Sequence, residues 1–144
     1  MRLSTKGRYT MRAMLDLAGR YGNGPVQVKD IAKNQMISER YLEQLLLPLK
    51  SAGLVRAIRG ANGGFELAKR PSEIRLLDIF TVAEGSTAPV ECIDNAAKCE
   101  RSITCVTRDI WLDVKRATDK VLESTTLQDL LDRQTNAVFV GNGI

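Results

Sequence analysis

The chain has no histidine and only three cysteines. Without imidazole it lacks the commonest general base and a principal metal ligand. It also shows no nucleophile motif and no glycine loop ahead of a helix to cradle phosphate, so it is not expected to be an enzyme acting on a small-molecule substrate. Long apolar runs are missing as well. Met1-Arg2-Leu3-Ser4-Thr5-Lys6 opens no stretch of signal-peptide or membrane-spanning length. The expectation is a soluble cytoplasmic protein with no membrane partner. An odd number of cysteines in a reducing compartment excludes a closed disulfide framework and favours metal or redox chemistry.

What is present is unevenly distributed. The 144 residues suffice for one domain with its own core and an extra element or two. Residues 1–70 carry 13 Lys and Arg against 5 Asp and Glu, a net charge of +8, whereas residues 71–144 carry 8 against 12, a net charge of −4. Only the first half suits a polyanion. The second half holds all three cysteines, Cys92, Cys99 and Cys105, among Glu91, Asp94, Asn95, Lys98, Glu100 and Arg101. Polar surroundings of that kind place the thiols for chemistry rather than for packing.

Met11, Met14, Leu15 and Ala18 fall at i, i+3, i+4 and i+7, one face of an amphipathic helix between Thr5 and Tyr21 that Gly22-Asn23-Gly24-Pro25 ends. Lys29 to Asn34 is long enough for two further turns, and Met36-Ile37 connects to a second strong helix. There Ser38 is the N-cap, Leu42, Leu45, Leu46 and Leu49 repeat the same spacing, and Gly53 is the stop. Pro48 within this helix removes a hydrogen bond and predicts a bend or an early break near Leu47. Helix, short turn and helix is the arrangement whose second helix enters a major groove.

Two strand-like runs follow, Leu54–Ile58 and Phe65–Ala68, joined by Arg59-Gly60-Ala61-Asn62-Gly63-Gly64. They form a hairpin wing. The fold class is therefore mainly α with a small β-hairpin wing: a winged helix-turn-helix over residues 1–84, a cysteine loop over 85–102, and a long dimerisation helix with a short terminal helix over 103–135. Residues 136–144 read as a loose tail. Leu77, Ile79, Phe80 and Ala83 predict a helix ending near Gly85. Ile103, Ile110, Val114, Ala117 and Val121 lie along a helix from about Thr104 to Glu123, an apolar stripe that needs a partner surface. The simplest partner is the same helix of a second subunit.

With wing and cysteines placed, the chain resembles the IscR-type winged-helix regulators from Met1 to about Leu131. The resemblance rests on Met1-Arg2-Leu3-Ser4-Thr5-Lys6-Gly7-Arg8-Tyr9, on Ser38-Glu39-Arg40-Tyr41-Leu42-Glu43-Gln44-Leu45, and on Gly53-Leu54-Val55 with Arg59-Gly60 and Gly63-Gly64. It implies a homodimer on a partly palindromic double-stranded DNA operator, with a [2Fe–2S] cluster in the cysteine loop modulating affinity.

On the helix starting at Ser38, the face opposite the leucines offers Arg40, Glu43, Gln44 and Lys50. Gln44 suits adenine, Arg40 guanine or phosphate, and Glu43 the cytosine amino group. Ser38 and Tyr41 carry hydroxyls near the helix start that reach toward the DNA backbone or serve as cap and packing group. Arg59 is placed to enter a minor groove. Gly60, Gly63 and Gly64 serve turn geometry and close backbone approach. Lys6, Arg8 and Tyr9 are phosphate-positioning groups.

The spacing Cys92-x6-Cys99-x5-Cys105 differs from the paired C-x2-C knuckles of structural zinc sites, and thiolates suit an iron–sulfur cluster, which needs a fourth ligand. Where the family often has a histidine, this chain has Arg108, which stays protonated and does not ligate. Glu91, Asp94, Glu100, Asp109, a partner-subunit residue or an exogenous thiol are the remaining sources. Alternatives are zinc, thiol oxidation among the three cysteines, a regulator of the same fold that senses a protein partner, or an electron carrier.

Overall fold

A computed structural model describes the backbone of residues 2–143 and the side chains of residues 2–137; Met1 and Ile144 lie outside the described residues. Seven helices and one hairpin follow in order: α1 (Thr5–Gly19), α2 (Val28–Gln35), α3 (Glu39–Ser51), β1 (Val55–Ile58), β2 (Gly64–Leu67), α4 (Leu76–Glu84), α5 (Glu91–Asp94), α6 (Val106–Ser124) and α7 (Leu127–Gly143). The mainly helical class with a two-stranded wing is the one expected from the sequence.

Ser4 caps α1, its Oγ accepting from the Gly7 N–H at 2.9 Å. The buried stripe of α1 runs through Ala13, Met14, Leu17 and Ala18, so Met11 and Leu15 sit at its margins rather than on it. α2 ends at Met36, whose left-handed backbone (φ 55) turns the chain sharply toward α3. Ser38 then caps α3 by accepting from the Tyr41 N–H at 3.1 Å. Leu42, Leu45, Leu46 and Leu49 are all buried, as their spacing predicts. Of the bend or early break expected near Leu47, the break does not occur, because α3 passes through Pro48 to Ser51. Leu45, Leu46 and Leu49 are fixed in the core on either side of the proline, and this packing outweighs one missing hydrogen bond.

β1 and β2 pair antiparallel, with Val55 opposite Leu67 and Ile58 opposite Gly64. The hairpin is fastened to the helices by Val26 and Phe65, which exchange two backbone hydrogen bonds of 2.8 Å each. That close approach explains Gly64: a Cβ there would press on the carbonyl oxygen of Val26. Gly64→Ala is expected to destabilise the protein by about 1–3 kcal/mol through overpacking, measured as a lower urea midpoint, with the wing loosened before the helices.

The C-terminal helices return to this unit. Leu76 N–H donates to Thr125 O (2.9 Å) and Leu127 N–H to Ile74 O (3.0 Å), stitching the α6–α7 junction to the start of α4. Leu127 is fully buried in the same core as Met14, Leu42 and Ile79, with Leu130 and Leu131 packed against it. The stretch expected as a loose tail, residues 136–144, is instead helical as far as Gly143. Neither proline nor glycine interrupts residues 132–140, and a helix already nucleated by its buried first turn extends at little cost.

Candidate nucleic-acid interface and cysteine loop

The candidate DNA-facing surface is built by the capped start of α3. With its leucines turned inward, α3 presents Arg40, Glu43, Gln44 and Lys50 to solvent, and Ser38 stands exposed at the helix start. Leu47 shares this outer face and is 56% exposed. Its signal in the sequence was spacing, since it follows Arg40 by seven residues and Gln44 by three.

Lys6 and Arg8 are exposed on the first turns of α1, beside a half-buried Tyr9. Tyr9 and Tyr41 meet edge to face, centroids 6.2 Å apart at 86°, and the Arg12 guanidinium lies 5.1 Å from the Tyr9 ring centre. Arg12 Nε also donates to Gln35 Oε1 at 2.9 Å. The two tyrosines thus couple α1 to the start of α3, a packing role the sequence left open for Tyr41 alone. No motif in the sequence marks Arg12; its position three residues after Tyr9 is the available sign.

At the wing tip Arg59 is exposed. Gly60 adopts φ 114, a conformation costly for other residues, and its carbonyl accepts from the Gly63 N–H at 3.1 Å. The other wing cation, Arg56, is paired with Glu66 at 2.7 Å, which leaves Arg59 as the projecting charge. Arg40, Glu43 and Gln44 on α3 and Arg59 at the wing tip are therefore all open to solvent.

The cysteine loop is an ordered structure with its own hydrogen bonds. Cys92 lies in α5, Cys99 is exposed after a 3-10 turn at Ala96–Lys98, and Cys105 is the N-cap of α6. Buried Ser102 pins the loop by offering its hydroxyl to Ala96 O and Cys99 O, each at 2.8 Å. Arg108 reaches from α6 to the Cys92 carbonyl with two donors, at 3.2 and 3.1 Å. Asp119 of α6 accepts from Thr87 and from Lys115 (2.6 Å). Burial raises the Asp119 pKa, but the Lys115 and Thr87 hydrogen bonds override it and hold the carboxyl below its ordinary range.

Hydrogen bonds from the Thr107 hydroxyl (3.0 Å) and from the Arg108 backbone N–H lower the Cys105 thiol pKa despite opposing desolvation. In donor chemistry the loop suits an iron–sulfur cluster, since it offers three thiols and one of them is biased toward the thiolate. In geometry the three are held apart. Among the described residues no three Cys, Asp or Glu side chains approach closely enough to hold a metal ion. Glu91, Asp94, Glu100 and Asp109 all point to solvent, and Arg108 is committed to the Cys92 carbonyl.

α6 has no fully buried residue. Its apolar Val106, Ile110 and Val121 are 78%, 56% and 63% exposed. No helix among the described residues is long and apolar enough to cross a membrane.

Comparison with known proteins agrees with this architecture. Residues 3–133 match the family Rrf2, described as iron-dependent transcriptional regulator. The HTH-type transcriptional regulator CymR of Bacillus subtilis (strain 168) is 44% identical over 130 residues, spanning 90% of this chain and 89% of that protein. The HTH-type transcriptional regulator IscR of Serratia proteamaculans is 38% identical over 134 residues, spanning 93% and 81%. Among solved structures, T. potens IscR superposes with a TM-score of 0.79 at 41% identity, covering 95% of this chain and 90% of that one. These relatives are regulators of transcription rather than enzymes, and their function implies DNA binding. The chain belongs to the Rrf2 family of winged-helix transcriptional regulators.

Proposed function

We propose that the protein is a cytoplasmic homodimer that binds a partly palindromic operator and whose affinity is set by the state of Cys92, Cys99 and Cys105, which take up a [2Fe–2S] cluster. The observation that carries the DNA-reading half is the exposed row Arg40, Glu43 and Gln44 on a helix capped by Ser38 and flanked by a wing with Arg59 at its tip. Gln44, Arg40 and Glu43 read base edges. Arg59 enters the neighbouring minor groove, and Lys6, Arg8 and the Tyr9–Tyr41 pair set the phosphate register. With about eight phosphates neutralised per dimer, log K is expected to fall with log salt at a slope of about −7, measured by fluorescence anisotropy across a salt series.

The exposed stripe Val106, Ile110 and Val121 supports a dimer formed by α6 against its copy. Each head is attached firmly to its own α6. Arg75 at the start of α4 bonds Glu123 at 3.0 Å, and the backbone bonds of Leu76 and Leu127 fix the far end of the helix. At the near end, Cys105 occupies the N-cap position of α6 and Arg108 holds the Cys92 carbonyl. A rearrangement of the loop therefore acts on the start of the helix that spaces the two heads, and the spacing must match major grooves recurring about every 34 Å.

Cys92, Cys99 and Cys105 would supply three cluster ligands, and a bound cluster would supply a group that is lost or modified as the signal. Because the thiols are held apart, occupancy requires the loop to close. Anaerobic purification with visible absorption, iron and acid-labile sulfide analysis tests this reading, with about two irons and two sulfides per subunit expected. Colourless, iron-free protein would favour thiol oxidation, which exposed Cys99 and the lowered Cys105 pKa support as the second reading.

A further inference from the structure

We infer that Leu47 is a base-reading residue that selects a thymine through its C5-methyl group. The inference rests on the reading of α3 as the recognition helix. That helix carries five leucines, four of which, Leu42, Leu45, Leu46 and Leu49, are at most 2% exposed, while Leu47 is 56% exposed. Single exposed leucines are ordinary on protein surfaces; the register of this one is not neutral. Arg40, Glu43, Gln44 and Leu47 stand at i, i+3, i+4 and i+7, so they form one row along the outer face of α3.

A duplex engaged by Gln44 meets Leu47 about 4.5 Å further along the helix axis, at 1.5 Å per residue. That is somewhat more than one base-pair step of about 3.4 Å. An isobutyl group donates and accepts nothing, so phosphates and most base edges offer it no partner. The apolar feature of the major groove is the thymine methyl. Leu47 therefore adds a preference for thymine within one or two steps of the base that Gln44 reads. Burial of the side chain against that methyl excludes water from both.

The test uses the full-length protein and duplexes enriched by it from a random-sequence library. Each thymine of the preferred duplex is replaced singly by deoxyuridine, which removes the methyl alone, and affinity is measured at fixed salt for wild type and Leu47→Ala. One position in each half-site is expected to cost the wild type about fourfold, the worth of one buried methyl group, and to cost the variant nothing. Circular dichroism and melting of Leu47→Ala are expected to match wild type, since the side chain is outside the core. Enrichment of a duplex that shows no methyl-sensitive position, or equal sensitivity in the variant, overturns the role of Leu47 and leaves the DNA-reading assignment intact. Failure to enrich any duplex overturns both.

Discussion

Replacing Ile110 and Val121 together by glutamate is expected to convert the protein from dimer to monomer and to lower operator affinity by at least about a hundredfold. Both side chains lie on the uncovered face of α6 and are more than half exposed in the single chain, so the substitutions leave the fold of each head intact. They place two carboxylates per subunit where the proposed interface buries apolar surface, and burying unpaired charge is prohibitive. A single head binds one half-site. Joining two heads makes the second contact intramolecular, and linkage of this kind is worth about 10²–10⁴ in affinity. Analytical ultracentrifugation and anisotropy on one operator give the two readouts. A variant that remains dimeric would move the interface away from α6, and a monomer with full affinity would remove the need for a dimer.

The second large effect concerns the sensor. The triple variant Cys92→Ser, Cys99→Ser, Cys105→Ser is expected to retain no iron or sulfide after anaerobic purification and to bind the operator with an affinity indifferent to iron supply or oxidant. None of the three thiols is in the hydrophobic core, so the heads fold as before and melting is nearly unchanged. Serine keeps the size of cysteine but offers a hydroxyl where iron–sulfur chemistry takes thiolate. Restoring Cys105 alone is not expected to restore iron, because one thiolate does not anchor a cluster. Iron retained by the triple variant would show that other side chains hold it.

Much of the head was legible because its signals are local and agree with one another. The leucine spacing of α3, the Ser38 cap and the glycines of the wing each follow from short-range chemistry, and burial confirms the four leucines. Where long-range packing decides, the sequence was less explicit. Pro48 reads as a breaker until Leu45, Leu46 and Leu49 are seen seated in the core around it. The stripe of α1 is shifted to Ala13 and Leu17 by the helices that cover it. The fastening of the wing through Val26 depends on backbone atoms alone, so no side-chain pattern announces it. Residues 136–143 lack any apolar periodicity strong enough to distinguish helix from tail. In the cysteine loop the sequence supplied the thiols, but their separation depends on Ser102 and Arg108 reaching carbonyl groups, which spacing does not encode. Leu47 was legible by spacing, since it falls on the row of Arg40, Glu43 and Gln44 and off the stripe of the other four leucines, and the fold adds the extent of its exposure.

Control of DNA reading by the cysteine loop is tested most directly by operator affinity at one salt concentration for anaerobically prepared, iron-loaded protein and for the same preparation stripped by a chelator under reducing conditions. The account predicts that the two forms differ by about tenfold or more, a difference of about 1.4 kcal/mol, and that the triple serine variant shows no such difference. Equal affinities of loaded and stripped protein would contradict it and leave the loop a structural element of a regulator that senses by other means.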